Sequence, residues 1–279
     1  ATWDLIPREF ELQKLNQKCS ECGKKILIVC DSFFDNPVAM SNLTVVSDPK
    51  LTSLGSSFDQ PLPTIKQHNK LFNCFIHRVE PTRQSWFYFL YLQGLLDKGY
   101  VSFLLYQKNN QSRLDLFEKN HYSGLNSLPK FNRAYRHLQN KVPFRNFVDS
   151  EKLSDVVANS KYSLTLETYA IDDDHFAVYV SEKTIRSLEH PCLDLIFGQH
   201  KTYDHLAKHG IEFYQSLADV DDPSWIKRQQ NILNMLTQDP IHVNIEYMYK
   251  QCVHNRSLFE NWYNEISSPE YFTKYIDLL

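Results

Sequence analysis

The chain has 279 residues, of which 42% are hydrophobic and 23% are charged, and its net charge at pH 7 is −3. This composition is typical of a globular protein with a sizeable core. The weak negative charge provides no basic face for nucleic acid, and no apolar run approaches the roughly 18 residues of a membrane span. Six scattered cysteines do not resemble a disulfide framework, so we expect a reducing, cytoplasmic setting.

The first seventy residues predict few regular elements. Residues 8–18 favour a short helix, and KKILIVC (24–30) favours a buried strand that runs into Asp31. The stretch from Ser32 to Asn69 is rich in Pro, Ser, Asp and Asn, which is typical of loops, and its one strand-like patch is LTVV (43–46). We therefore predict that residues 1–70 form a small lobe and that residues 71–279 form the main domain.

The pattern changes at residue 71. LFNCFI (71–76) predicts a strand, an aromatic helix follows from Arg83 to Lys98 with Gly99 placed to end it, and YVSFLLY (100–106) predicts the next strand. A strand–helix–strand unit of this kind indicates a parallel sheet with helices on its faces. The aromatic side chains of residues 86–91 point in several directions around the helix, which favours packing over a sugar-binding platform.

A second unit of the same kind follows further along the chain. Helical pieces are predicted at 111–118 and 127–140, with another short helix in VDSEKLSDVVANS, before the strand YSLTLET (162–168). An acidic loop, a helix at 182–189 and the strand CLDLIF (192–197) complete the unit. A helix at 201–209 ends at Gly210, and residues from about 222 to 279 are predicted to be helical throughout.

Two predicted helices carry a cation in their first turn. Thr82 is a plausible N-cap, which places Arg83 at the positive end of the helix dipole, where a bound anion would be favourable. Ser181 is a plausible N-cap for the second helix, with Glu182 and Lys183 behind it. Helix N-termini bind phosphate well, and the alternative is an ordinary solvated surface position for each cation.

Glu167 closes the strand YSLTLE. In open α/β sheets, ligands bind beyond the carboxyl ends of the strands. A carboxylate there can accept hydrogen bonds from a sugar or a ribose, or it can cap a neighbouring helix. Both interpretations remain open from the sequence.

Two blocks of sequence resemble the GT-B-type glycosyltransferases of the bacterial and viral α1,3-fucosyltransferase-like family. They are NCFIHRVEPTRQSWFYFLYLQGLLDKGYVSF and KYSLTLETYAIDDDHFAVYVSEKTIRSLEHPCLDLIFGQHKTYDHLAKHGIEFY, and the resemblance covers roughly residues 71–220. It implies an α/β fold with a Rossmann-like donor-binding domain, a reduced N-terminal lobe and C-terminal helices. It further implies that the donor site contains Arg83, Glu182 and Lys183, joined by Arg78, Ser181 and a sugar-facing Glu167.

The resemblance implies transfer of a sugar, with inversion, from a nucleotide diphosphate sugar to a hydroxyl of a glycan or lipid-linked glycan. A GDP-sugar donor is favoured, with UDP and CMP donors left open, and no cofactor or metal is expected. The alternative is an inactive nucleotide- or glycan-binding module of a larger polysaccharide synthase. No membrane span is predicted, and a peripheral membrane location stays open.

The base that takes the acceptor proton is expected on the face opposite the leaving diphosphate. In a GT-B cleft that face belongs to the N-terminal lobe, where Asp31 follows a strand and Asp35 lies on the same loop. His77, after LFNCFI, is a third candidate. The run Asp172–Asp174 is interpreted as a solvated acidic loop and not as a metal site, and the single CxxC at Cys19 lacks the second pair that a zinc ribbon needs.

Overall fold

The computed structural model describes residues 9–30, 38–55, 68–76, 81–103, 150–167, 170 and 178–278. The helices in these ranges are α1 (Glu9–Glu21), α2 (Pro81–Leu92), α3 (Ser150–Ala158), α4 (Glu182–Leu188), α5 (Thr202–Lys208), α6 (Trp225–Gln238) and α7 (Ile245–Ile266). The strands are β1 (Ile26–Cys30), β2 (Val38–Ala39), β3 (Leu43–Ser47), β4 (Lys70–Ile76), β5 (Gly99–Phe103), β6 (Ser160–Leu166) and β7 (Leu193–Phe197). Short 3₁₀ segments cover Pro49–Gly55, Leu96–Lys98, Gln215–Val220 and Tyr271–Leu278.

The main sheet has four strands in the order β5-β4-β6-β7, and all neighbouring pairs are parallel. The α/β class and both predicted strand–helix–strand units are therefore confirmed. The strands contain near-continuous apolar runs because helices cover both faces of a parallel sheet. All five residues of β7 are buried. The predicted helices at 111–118 and 127–140 lie outside the described residues.

The order of the strands creates a switch point between β4 and β6. The chain passes from β4 to β5 on one side, and it then returns to place β6 on the other side of β4. In sheets of this type, ligands bind outside the carboxyl ends of the strands where the order reverses. The carboxyl ends of β4 and β6, after Ile76 and Leu166, are thus the part of the sheet where a ligand is expected.

The helix between β4 and β5 differs from the prediction at its N-terminus. It begins at Pro81, so Thr82 lies inside the first turn and the prediction of Thr82 as the N-cap is wrong. Proline is well suited to the first helical position because the backbone N–H that it lacks would have no intrahelical partner there. Arg83 remains in the first turn, as predicted.

The same helix also ends earlier than predicted. It stops at Leu92, and Gly94 follows with a left-handed φ of 63°, a conformation that glycine adopts without a steric penalty. Gly99 instead begins β5. A Cβ at residue 99 would approach the ring of Phe72 to 2.6 Å, so glycine is required there by close packing and not by a helix end.

A buried polar row crosses the centre of the main sheet. Asn73, Ser163 and Asp194 are register partners on β4, β6 and β7. Ser163 Oγ donates to Asn73 Oδ1 at 3.1 Å, and Asp194 Oδ1 accepts from Ser187 Oγ of α4. This row fixes α4 on the face of the sheet to which these side chains point.

The first seventy residues pack against the C-terminal part of the chain. A smaller sheet has the order β1-β3-β2, with β1 parallel and β2 antiparallel to β3. The 3₁₀ segment Pro49–Gly55 contacts both α4 and α7. Asp48 is 4% exposed and accepts hydrogen bonds from the hydroxyls of Tyr271 and Tyr275. The C-terminal elements therefore reach back across both parts of the chain, while the division at residue 70 stays a prediction.

The region from 222 onward is mostly helical, but the prediction that it is helical throughout is wrong. Residues 239–244 interrupt it between α6 and α7, and Asp239 adopts a left-handed φ of 47°. Across the described part of the chain, none of the helices combines the length and the apolar character that crossing a membrane requires.

Candidate functional site at the carboxyl edge of the sheet

Glu167 lies directly after β6, at the switch point. Its backbone N–H donates to Phe197 O at 3.0 Å, which continues the pairing of β6 with β7. The residue is 1% exposed. Its Oε1 accepts hydrogen bonds from Ser181 N at 2.9 Å and from Thr184 Oγ1. The carboxylate therefore ties the start of α4 to the end of β6.

The second carboxylate oxygen of Glu167 has a different environment. Oε2 is buried and accepts no hydrogen bond in this structure. A buried carboxylate oxygen without a donor is costly, and such a group in a native protein calls for an explanation. Capping by Glu167, one of the two interpretations left open by the sequence, accounts for Oε1 and leaves Oε2 to be explained.

The start of α4 has the capping geometry that the sequence predicts. Ser181 Oγ accepts from Lys183 N at 3.3 Å. Lys183 Nζ lies 2.9 Å from Glu182 Oε1, and both side chains are partly exposed. Burial acts to raise the pKa of Glu182, but the hydrogen bond and the charge of Lys183 outweigh it, so the pKa lies below its usual range. The carboxylate of Glu182 is thus ionised at the sheet edge, and both side chains are accessible to a ligand.

Arg83 lies in the first turn of α2 and is 2% exposed. The alternative of a solvated surface arginine is therefore wrong. Burial raises the pKa of the Cys74 thiol on β4 to about 12, and the charge of Arg83 acts in the opposite direction. A buried guanidinium at a helix N-terminus opposes the helix dipole, so its position is favourable for holding an anion.

The helices α2 and α4 approach this edge from opposite faces of the sheet. Asp194 contacts Ser187 of α4, and Glu167 contacts the start of the same helix, so both point to the α4 face. Phe197, three residues after Asp194, points to the other face, because side chains alternate along a strand. There its ring packs edge-on against Trp86 of α2 at 5.1 Å. The two helix starts therefore lie at the carboxyl edge, on opposite faces of the sheet.

The segment before α4 is held along this edge by two side chains. Gln199, just after β7, accepts from Tyr179 N at 2.8 Å through Oε1. Glu167, just after β6, accepts from Ser181 N two residues further on. The role of Gln199 was not predicted from the sequence, although its position two residues beyond a buried strand was the available signal. Together the two contacts fix the position of Glu182 and Lys183 relative to the sheet.

The remaining predicted site residues fall outside the described ranges. These are the candidate bases Asp31, Asp35 and His77, the candidate donor-binding Arg78, and the acidic run Asp172–Asp174. Asp31 directly follows the end of β1, and His77 directly follows the end of β4. Their roles stay predictions.

The described residues contain no group of three or more His, Cys, Asp or Glu side chains arranged to hold a metal ion. All six cysteines are free thiols, and of the CxxC pair Cys19 is buried while Cys22 is exposed.

The described site residues thus lie toward the carboxyl edge of the sheet, on both of its faces. Arg83 approaches from one face, and Glu167, Ser181, Glu182 and Lys183 lie at the other, beside the switch point. Comparison of the chain with protein-family models, with curated proteins and with solved structures finds no match.

Proposed function

We propose that the chain is a GT-B-type glycosyltransferase that binds a nucleotide diphosphate sugar at the carboxyl edge of the four-stranded sheet. It would transfer the sugar to a hydroxyl of a glycan or a lipid-linked glycan, with inversion and without a metal. The observation that carries the proposal is the buried Glu167 carboxylate at the switch point, which keeps one oxygen without a hydrogen bond, together with the buried Arg83 in the first turn of α2.

The charges at this edge suit a nucleotide diphosphate. The guanidinium of Arg83 and the ammonium of Lys183 lie at two helix starts, and both groups bind phosphate oxygens through charge-assisted hydrogen bonds. Cations at these positions stabilise the negative charge that develops on the leaving diphosphate. Glu182 is held ionised by Lys183, and its carboxylate can accept hydrogen bonds from ribose hydroxyls.

The unbonded oxygen of Glu167 suits the sugar. An ionised carboxylate only accepts hydrogen bonds, and each sugar hydroxyl is a donor. Oε1 is already occupied by Ser181 and Thr184, so the geometry of the carboxylate is fixed before a ligand arrives. A hydroxyl donated to Oε2 would satisfy the buried oxygen, and this would favour the sugar-bearing donor over the nucleotide alone.

The small sheet β1-β3-β2 would supply the acceptor side as a reduced N-terminal lobe. Its contacts with α4 and α7 through Pro49–Gly55 bring it against the donor half. The catalytic base would be Asp31, Asp35 or His77, each placed by the sequence after a strand end. The free thiols of all six cysteines agree with the proposed cytoplasmic setting.

The small size of that lobe also favours a second candidate function. Its sheet has three strands, and one of them contains two residues, which is little structure for an acceptor-binding domain. The chain would then be an inactive nucleotide- or glycan-binding module of a larger polysaccharide synthase. The two functions share the donor site and differ in turnover.

The test begins with calorimetry or a thermal-shift screen against GDP, UDP, CMP and dTDP. The nucleotide that binds selects the nucleotide sugars for an assay of transfer and of hydrolysis. Binding with turnover supports the transferase, and binding without turnover supports the module. A chain that binds none of the four nucleotides contradicts the transferase and the nucleotide-binding form of the module.

A further inference from the structure

The turn after β7 carries a histidine at the same edge of the sheet. Gln199 is tied to Tyr179 N through its side chain, and Thr202 Oγ1 donates to Gln199 O at 2.6 Å. Lys201 adopts a left-handed φ of 68°. These contacts fix the backbone on both sides of His200, so the position of its imidazole is defined by the turn.

A carboxylate lies against one nitrogen of this imidazole. His200 Nδ1 is 3.1 Å from Asp221 Oδ2, and the same oxygen accepts from Lys201 N at 2.7 Å. The two atoms are close, but their geometry is not that of a hydrogen bond. Asp221 therefore holds both the imidazole and the left-handed residue that follows it.

The other edge of the ring is accessible. The side chain of His200 is 36% exposed. Because Nδ1 itself is buried, this exposure comes from other atoms of the side chain. In this structure no hydrogen bond or ion pair of a described residue reaches Nε2. The ring is thus fixed through Nδ1 and presents the edge with Nε2 to solvent or to a ligand.

The charged groups around the imidazole define what it can bind. Asp221, from the segment after Gln215–Val220, is a charged group that faces it and is 15% exposed. The charge of Asp221 also acts on the hydroxyl of Tyr203 on α5, whose pKa is raised mainly by burial. Asp221 lies on the Nδ1 side, and among the described residues no carboxylate pairs with Nε2, so that nitrogen can donate to an anion.

We propose that His200, held by Asp221, is an anion-binding residue of the donor site and that its Nε2–H donates to the diphosphate of the bound ligand. This inference rests on the proposed function. Gln199, the neighbour of His200, is bonded to Tyr179, which lies two residues before Ser181 and the start of α4. His200 therefore lies at the same edge of the sheet as the start of α4 and Lys183, and we assign it to the diphosphate and not to the proton transfer of the acceptor.

The test is the pH dependence of donor affinity. Histidine changes its charge between about pH 5 and about pH 8, whereas the diphosphate diester of GDP-mannose or UDP-glucose keeps a constant charge there. We expect calorimetry to show wild-type affinity that falls as the pH rises through this range, because the imidazolium is lost. His200→Gln is expected to bind roughly tenfold to a hundredfold more weakly at about pH 6 and to show a flat profile.

Two further variants sharpen the test. His254 also lies near a carboxylate, with Nε2 3.9 Å from Glu212 Oε1. Because His254 is on α7, beyond the far end of α5, His254→Gln should keep the wild-type profile. Asp221→Asn should weaken donor binding at about pH 6 without changing the affinity for guanosine or uridine, which lack the diphosphate.

The outcomes separate this inference from the proposed function. A His200→Gln variant that keeps the wild-type pH profile overturns the inference, while donor binding by the wild type stands. A wild type that binds the donor with the expected profile and transfers no sugar supports the inference and contradicts the transferase. A wild type that binds neither nucleotide sugar at any pH overturns both.

Discussion

The carboxylate of Glu167 accepts the backbone N–H of Ser181 at 2.9 Å, across the carboxyl edge of the main sheet. This single contact joins the end of β6 to the first residue before α4, and it aligns the N-terminus of α4 with the switch point. The same carboxylate keeps Oε2 without a donor. Glu167 is therefore a structural link that also offers a buried oxygen to a ligand.

The two roles of Glu167 can be separated by two substitutions. Glu167→Ala leaves Ser181 N and Thr184 Oγ1 without an acceptor, and it is expected to lower the free energy of unfolding by about 2–5 kcal/mol. Glu167→Gln keeps an acceptor at Oε1 and should retain most of the stability. It should weaken binding of the nucleotide sugar and leave binding of the nucleoside diphosphate unchanged.

Urea denaturation and calorimetry measure these two effects. Glu246→Ala on α7, where the side chain is 80% exposed, is the control for stability and should behave as the wild type. Equal binding of the nucleotide sugar by wild type and Glu167→Gln would leave Glu167 with the structural role alone.

The diphosphate contact is expected to depend on Arg83 and Lys183. Removal of either cation deletes a charge-assisted hydrogen bond worth about 1.5–3 kcal/mol, so nucleotide affinity should fall by roughly tenfold to a hundredfold in Lys183→Ala and in Arg83→Ala. Lys250→Ala is the matched control, because Lys250 also pairs with a neighbouring glutamate, Glu246, at 3.2 Å but on α7. Calorimetry that finds unchanged affinity in both site variants would remove these residues from the donor site.

The buried carboxyl of Asp194 should make stability depend on pH. Burial raises its pKa from 3.8 to about 7, although hydrogen bonds from Ser187 and Cys192 oppose the change. At a pH between these two pKa values, the folded state keeps a proton on Asp194 that the unfolded state has lost. The free energy of unfolding therefore falls as the pH rises from about 4 to about 7. The full effect is on the order of 4 kcal/mol.

Asp194→Asn should remove most of this slope, since it keeps an acceptor for Ser187 and carries no charge. Urea denaturation between about pH 4 and about pH 8 measures it. Asp204→Asn on the exposed side of α5 should keep the wild-type slope. A steep slope in Asp194→Asn would assign the pH dependence to another group.

Activity is expected to survive removal of divalent metal. Two cations at the diphosphate make a metal ion redundant, and the acidic run Asp172–Asp174 then has no catalytic role. Transfer should persist in excess chelator and in a variant with Asn at all three positions. Loss of activity on chelation, with recovery on addition of manganese or magnesium, would show a metal site at this run.

The catalytic base is expected among Asp31, Asp35 and His77. Asp31→Asn, Asp35→Asn and His77→Ala are each compared for turnover and for donor affinity. The base should lose most of its turnover and keep nearly the wild-type affinity, because it acts on the acceptor and not on the donor. Wild-type rates in all three variants would place the base elsewhere.

The sequence by itself determined the strands of the main sheet and the cap of α4. LFNCFI, YSLTLE and CLDLIF are apolar runs bounded by polar turns, and the Ser181 cap depends on residues within one helical turn. These signals are local, so they can be read without a fold. The boundaries of α2 were less well predicted, because Pro81 and Gly94 override the aromatic pattern, and Gly99 is required by its contact with Phe72.

The tertiary structure decided how the site is assembled. The burial of Arg83 and the contacts of Glu167 with Ser181, Gln199 with Tyr179 and His200 with Asp221 are established by the fold. The three contacts join residues that are 14 to 21 positions apart in the sequence. No local period links such positions, because only the packing of parallel strands and their connecting helices brings the carboxyl ends of β6 and β7 to the same edge.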